Sequence, residues 1–128
     1  MKKRVMVVDD DKITIKMCEF ILKKHDLEVV SASSGKRCLE YLRDRTNPPV
    51  DCIVLDLEMP MLNGFNTLSS IRQSDRLKNI PVMFLTASAN EETVREAIRL
   101  GVRSYLRKPF LPKDLASKVL SLLGIEEE

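Results

Sequence analysis

Cys52-Ile53-Val54-Leu55-Asp56 is a run of four apolar residues closed by a carboxylate. A run so short and so uniformly apolar predicts a strand over Cys52–Leu55 that is covered on both faces, because a strand with one wet face would alternate. Arg4-Val5-Met6-Val7-Val8 has the same form and runs into Asp9-Asp10, and Val82-Met83-Phe84-Leu85 runs into Thr86. Two weaker runs, Glu28–Ala32 and Ser104–Leu106, complete a series spaced by about twenty-five residues, with helical periodicity between them. The helices are expected near Asp11–Lys24, Gly35–Arg45, Phe65–Ser74, Glu91–Leu100 and Pro112–Leu123. This alternation predicts an α/β doubly wound parallel sheet with helices on both faces.

Local chemistry supports these limits. Asn90 precedes Glu91-Glu92, which offers a capping side chain and two acids near the positive end of a helix dipole. Gly101 and Gly124 suit helix ends. Pro112 suits a first turn, although Leu111 before it is a poor cap. Thr46-Asn47-Pro48-Pro49 reads as a loop, since neither proline can continue a helix. Residues 1–124 are expected to form one domain and residues 125–128 an acidic tail, with no output domain encoded after the last helix; a unit that acts alone and a portion of a longer protein both stay open.

The 128 residues are 44% hydrophobic and 31% charged with a net charge of +2, which is enough for one core and too little basicity for a domain built to grip nucleic acid. No apolar stretch approaches the roughly twenty residues that would cross a bilayer, and the short run after Lys2-Lys3-Arg4 meets Asp9 too soon for an export signal. Cys18, Cys38 and Cys52 are odd in number and lack CxxC spacing, so they read as reduced, buried thiols of a cytoplasmic protein.

In a parallel sheet the carboxyl ends of the strands share one edge, where open α/β folds place ligands. That edge should gather Asp9, Asp10, Asp56, Thr86 and Lys108. Clustered carboxylates repel one another, and a hard divalent cation such as magnesium relieves the repulsion, whereas the lack of histidine and cysteine disfavours zinc. A cation, an ammonium and a hydroxyl around one point form a pocket for a phosphoryl group, with Asp56 as the nucleophile of an aspartyl-phosphate.

Val7-Val8-Asp9-Asp10, Val54-Leu55-Asp56 with Met59-Pro60 and Asn63-Gly64, Leu85-Thr86-Ala87, and Tyr105 to Lys108-Pro109-Phe110 together resemble the receiver domain of bacterial two-component response regulators. The resemblance covers nearly the whole chain. It implies a flavodoxin-like sheet of five strands in the order 2-1-3-4-5. It also implies magnesium-dependent phosphorylation of Asp56 by a sensor histidine kinase or a histidine phosphotransfer protein. Asp10, Asp56 and the backbone carbonyl of Glu58 would then hold magnesium directly, with Asp9 acting through water. Thr86 and Lys108 would contact the phosphoryl group, and Lys108-Pro109 would be cis. Thr86 and Tyr105 would form a switch that remodels the face of helix 4, strand 5 and helix 5 toward an unknown downstream target, and phosphorylated copies would pair.

Asn63-Gly64 stands where many receivers carry Asp-Gly, and either pair is read as a tight turn. Glu58 and Ser88 flank the expected phosphoryl site; they either place the attacking water and set the lifetime of the phosphate or are solvated loop side chains. On the first helix, Met17, Cys18, Ile21 and Leu22 share an arc expected to face the sheet. Ile13 and Phe20 fall beside it and read either as a docking patch for the kinase or as an extended edge of the core. Arg95, Arg99 and Arg103, with Arg107 and Lys113, read first as a solvated face and otherwise as a contact for an acidic partner or a second copy, and His25 reads as a surface residue. Two rival functions stay open: a phosphatase or phosphotransferase with Glu58 as its second acid, and an unphosphorylated docking module.

Overall fold

The apolar runs do become strands. The computed structural model describes residues 2–88, 90–102 and 104–125, with the order β1 Arg4–Val8, α1 Lys12–Lys23, β2 Glu28–Ala32, α2 Gly35–Arg43, β3 Cys52–Asp56, α3 Gly64–Arg72, β4 Val82–Thr86, α4 Glu91–Arg99, β5 Ser104–Arg107 and α5 Pro112–Leu122. All strand pairs are parallel, and the sheet runs β2-β1-β3-β4-β5.

The central strands separate two apolar layers by the alternation of their side chains. Met6, Val8, Ile53, Leu55 and Phe84 face Cys38, Leu39 and Leu42 of α2, Leu68 and Ile71 of α3, and Ala97 of α4. Val5, Val7, Cys52, Val54, Met83 and Leu85 face Cys18 and Leu22 of α1 and Leu115 and Val119 of α5. With both sides covered, uniform apolarity in β1, β3 and β4 is what the layers require. Each fully buried side chain of this kind contributes about 1.5–3 kcal/mol.

Strands β3 and β4 run one residue further than their apolar runs, to Asp56 and Thr86, and Asp56 stands in register with Leu85. These two side chains are therefore fixed by the sheet ladder rather than by loops. Helix α2 stops at Arg43, two residues before the expected end, because Asp44 turns extended and its Oδ1 accepts from the Thr46 amide at 3.0 Å and hydroxyl at 2.6 Å.

Asn63-Gly64 is not a tight turn. Asn63 caps α3 by accepting from the Asn66 amide at 2.9 Å, and Gly64 is the first helical residue. Glycine is needed there for space, since a Cβ would lie 2.6 Å from the Asp56 carbonyl oxygen. Gly101, by contrast, closes α4 at φ +82° with open space around it, so there the backbone angle requires glycine. The capping expectations hold: Asn90 accepts from the Thr93 amide at 2.8 Å, and Leu111 makes no capping bond.

The arc of α1 is shifted from its expected position. Thr14, Ile15, Cys18, Ile21 and Leu22 are its buried residues, and Met17 is 41% exposed. Burying Ile15 rotates Met17 outward, into line with Ile13 and Phe20. No helix among the described residues is long and apolar enough to cross a membrane.

Candidate functional site

Three strand ends converge at one edge of the sheet. Asp9 follows β1 and is fully buried, with its amide bonded to the Ala32 carbonyl at 3.1 Å. Asp56 closes β3 and is 1% exposed. Lys108 follows β5 and is anchored by its own amide, which donates to the Thr86 carbonyl at 2.8 Å. Its ammonium lies 2.8 Å from Asp9 Oδ2 and 3.2 Å from Asp56 Oδ1. The Lys108-Pro109 peptide is cis.

Asp10 is exposed, and its carboxylate lies with those of Asp9 and Asp56 inside a group whose ligand atoms are all within 4.8 Å of one another. Asp11 belongs to the helix instead. It caps α1 by accepting from the Ile13 amide and the Thr14 hydroxyl, each at 3.0 Å. The Ile13 amide bond, aided by Thr14, holds its carboxyl below the usual range. Asp9 Oδ1 in turn accepts from the Asp11 amide at 2.9 Å, which joins the start of α1 to the cluster.

The electrostatics follow from this crowding. Burial, and then the Asp9 charge, push the Asp56 carboxyl above its ordinary range, while Lys108 pulls it back. Burial alone would lower the Lys108 ammonium, but its hydrogen bond to Asp9 and the charges of Asp56 and Asp9 outweigh that and raise it. Among the described residues one ammonium faces these three acids, so the cluster suits a further cation. Its donors are all carboxylate oxygens, and an exposed acid leaves one side open, which fits a hard ion such as magnesium that keeps part of its water.

Thr86 closes β4 and is 1% exposed. Its hydroxyl donates to Glu58 Oε2 at 2.8 Å and accepts from the Ser88 amide at 3.0 Å. The other Glu58 oxygen, Oε1, accepts from the Ala87 amide at 2.6 Å. The Glu58 amide donates to Asp56 Oδ1 at 3.2 Å. The Glu58 side chain is thus no free loop group: it ties the segment after β3 to the end of β4. Nothing local in the sequence signals this, because it depends on β3 and β4 being neighbours.

Tyr105 lies opposite Phe84 on β5, is 38% exposed, and lines a shallow apolar groove with Val94, Ile98 and Val102. Ile13 and Phe20 are 76% and 66% exposed, which removes the core reading for both. With Met17 they form an i, i+4, i+7 stripe along α1, a spacing visible in the sequence. The Lys24 ammonium sits 4.2 Å above the Phe20 ring centre. Arg95 and Arg99 pair within α4 with Glu91 and Glu96, as a solvated face does, and Arg103 lies outside the described residues. His25 is exposed.

The family model for the response regulator receiver domain matches residues 5–120. The chain is 33% identical over 123 residues to the uncharacterized transcriptional regulatory protein YrkP of Bacillus subtilis, covering 96% of this chain and 50% of that protein. It is 31% identical over 127 residues to the alkaline phosphatase synthesis transcriptional regulatory protein PhoP of the same organism, covering 99% and 51% respectively. It therefore spans about half the length of the curated relatives it matches. Among solved structures, the chemotaxis protein CheY4 of Vibrio cholerae superposes with a TM-score of 0.89 at 27% identity, over 96% of this chain and 100% of that one.

Proposed function

The chain belongs to the response regulator receiver domain family, and from that premise we propose that it accepts a phosphoryl group on Asp56 from a histidine kinase or a histidine phosphotransfer protein. One observation carries this reading. A buried carboxylate sits within 4.8 Å of two others, with an ammonium 3.2 Å away, at the edge where the strands end.

In the transfer, an Asp56 oxygen bonds to phosphorus as the bond from phosphorus to the donor imidazole nitrogen breaks; the donor ring, protonated on its other nitrogen, keeps that proton and leaves as neutral histidine. Lys108 is already within reach of Asp56 and offers its charge to a phosphoryl oxygen without reorganising. Asp10, Asp56 and the Glu58 backbone carbonyl would hold magnesium, with Asp9 beside them. Bound there, the ion supplies positive charge that lets the carboxylate and the phosphoryl oxygens approach one another. Thr86 turns its hydroxyl to the new anion, and Tyr105 moves into the space vacated. The face of α4, β5 and α5 is remodelled toward a downstream protein or a second copy of the chain. Water then hydrolyses the acyl phosphate, and Ser88 beside Thr86 is placed to influence its approach.

Residues 1–124 are taken as the receiver unit and the cytoplasm as its site of action. Ile13, Met17 and Phe20 are the proposed contact with the phosphoryl donor, as they are apolar, exposed and carried on the helix that starts at the acid cluster. Intact-mass measurement after acetyl phosphate with magnesium tests the acceptor. The wild type should gain one phosphoryl group and Asp56→Asn none; a gain that persists in Asp56→Asn moves the acceptor elsewhere.

A further inference from the structure

We infer that the Glu58 carboxylate is an internal stand-in for the phosphoryl group, occupying the Thr86 and Ala87 donors until a phosphoryl group on Asp56 displaces it. This rests on the reading of Asp56 as the acceptor. Both oxygens of Glu58 are engaged, Oε1 by the Ala87 amide at 2.6 Å and Oε2 by the Thr86 hydroxyl at 2.8 Å. Two donors converging on one carboxylate make an anion site at the end of β4. The same strand end lies beside Asp56, whose neighbour in the ladder is Leu85.

The position of Glu58 is not one that charge alone would choose. Three carboxylates and a single ammonium already occupy this edge, so a fourth acid is held there by its hydrogen bonds against repulsion. Its tether is short, since its own amide is bonded to Asp56 Oδ1 at 3.2 Å. A phosphoryl group on Asp56 brings oxygens of the same kind and more charge to the same two donors, and it repels Glu58 as it arrives. Occupancy of Asp56 and seating of Glu58 are therefore mutually exclusive, and the segment after β3 is released when the acceptor is modified. Reciprocity follows: whatever draws Glu58 away raises the affinity of the site for the anion.

The test uses beryllofluoride, which mimics a phosphoryl group on a carboxylate, titrated at fixed magnesium into the wild type, Glu58→Gln and Glu58→Ala, with amide spectra of each protein before titration. Glu58 is exposed, so both variants should fold. In Glu58→Ala the Ala87 amide proton should move upfield before any ligand is added. The midpoint should fall about tenfold, the size expected on losing hydrogen bonds to a charged competitor. Glu58→Gln, which keeps one acceptor oxygen, should fall between. Equal midpoints in all three proteins, or an Ala87 signal that does not move, overturns the inference and leaves the acceptor reading intact. No uptake by any of the three overturns the acceptor reading, and this inference with it.

Discussion

Lys108 Nζ lies 2.8 Å from Asp9 Oδ2, and 99 positions of sequence separate the two residues. Asp9 is fully buried, and about three quarters of the Lys108 side chain is covered. The same ammonium reaches Asp56 at 3.2 Å, so one cation neutralises two carboxylates that would otherwise face each other without solvent. This contact joins the first strand to the last and balances charge across the middle of the edge.

Replacing Lys108 by Met should therefore destabilise the metal-free protein. Breaking a buried pair costs about 3–5 kcal/mol, and the partial exposure of Lys108 together with uptake of a proton by Asp56 absorbs part of that, leaving about 2–3 kcal/mol. Urea unfolding in EDTA at pH 7 measures it, and an unchanged midpoint would show that the ammonium carries none of this balance.

Asp10→Asn should act in the opposite sense. Asp10 is the exposed member of the carboxylate group, so its neutralisation removes repulsion without breaking a buried bond. The metal-free variant should be more stable than the wild type by about 0.5–1 kcal/mol. Magnesium should raise the melting temperature of the wild type, by an amount equivalent to about 2.7 kcal/mol at a hundred times the dissociation constant. The variant should lose most of that rise. A wild type that does not respond to magnesium, with cobalt or zinc producing the effect instead, would reassign the donor set.

The fold was readable because it rests on periodicity. Uniform apolarity in Val5–Val8, Ile53–Leu55 and Val82–Leu85, over runs too short for helices, reads as strands covered on both faces, and parallel strands bring Asp56 and Thr86 to one edge. The β3-to-β4 adjacency that seats Glu58 on Thr86 and Ala87 was not readable, since hydrogen bonds from a hydroxyl and a backbone amide 28 and 29 residues away leave no local pattern. Met17 was misplaced for a smaller reason. An arc of four apolar residues on a short helix can be rotated by one position, and the choice depends on how well Ile15 fills the layer beneath. Asn63-Gly64 reads as a turn because Asn-Gly favours one, while the actual constraint on Gly64, the approach of the Asp56 carbonyl, is a tertiary contact.

The three thiols make alkaline sensitivity predictable. Burial pushes Cys18, Cys38 and Cys52 up from 9.0 to about 12, with the Asp9 charge adding to the effect at Cys18. Between those values the unfolded chain loses thiol protons that the native state keeps, so the native state is progressively disfavoured as pH rises. Below about pH 9 this contribution to stability is fully present. At pH 10 the loss is about 1.4 kcal/mol per thiol and about 4 kcal/mol for three. Unfolding free energies at pH 8, 9 and 10 should fall accordingly, and Cys52→Ala should reduce the slope by about a third, which separates the thiols from lysine and tyrosine titration. A slope that Cys52→Ala leaves unaltered would exclude this origin.

The apolar stripe on α1 gives the sharpest functional separation. Ile13 and Phe20 are 76% and 66% exposed, so their removal should change stability by less than about 0.5 kcal/mol. Neither apolar side chain offers a group to the proposed chemistry on Asp56, and acetyl phosphate, a small donor, needs no docking surface. Ile13→Ala with Phe20→Ala should thus leave the rate of labelling by acetyl phosphate at the wild-type value. Transfer from a phosphorylated histidine kinase should slow by about tenfold or more, the cost of losing two apolar anchors from an interface. Lys24 stacks over Phe20 at 4.2 Å, so Lys24→Gln serves as a control that keeps the ring and removes the cation above it. Equal slowing with both donors would place the effect at Asp56 itself rather than at a docking surface, and no slowing with either would assign the stripe to another partner.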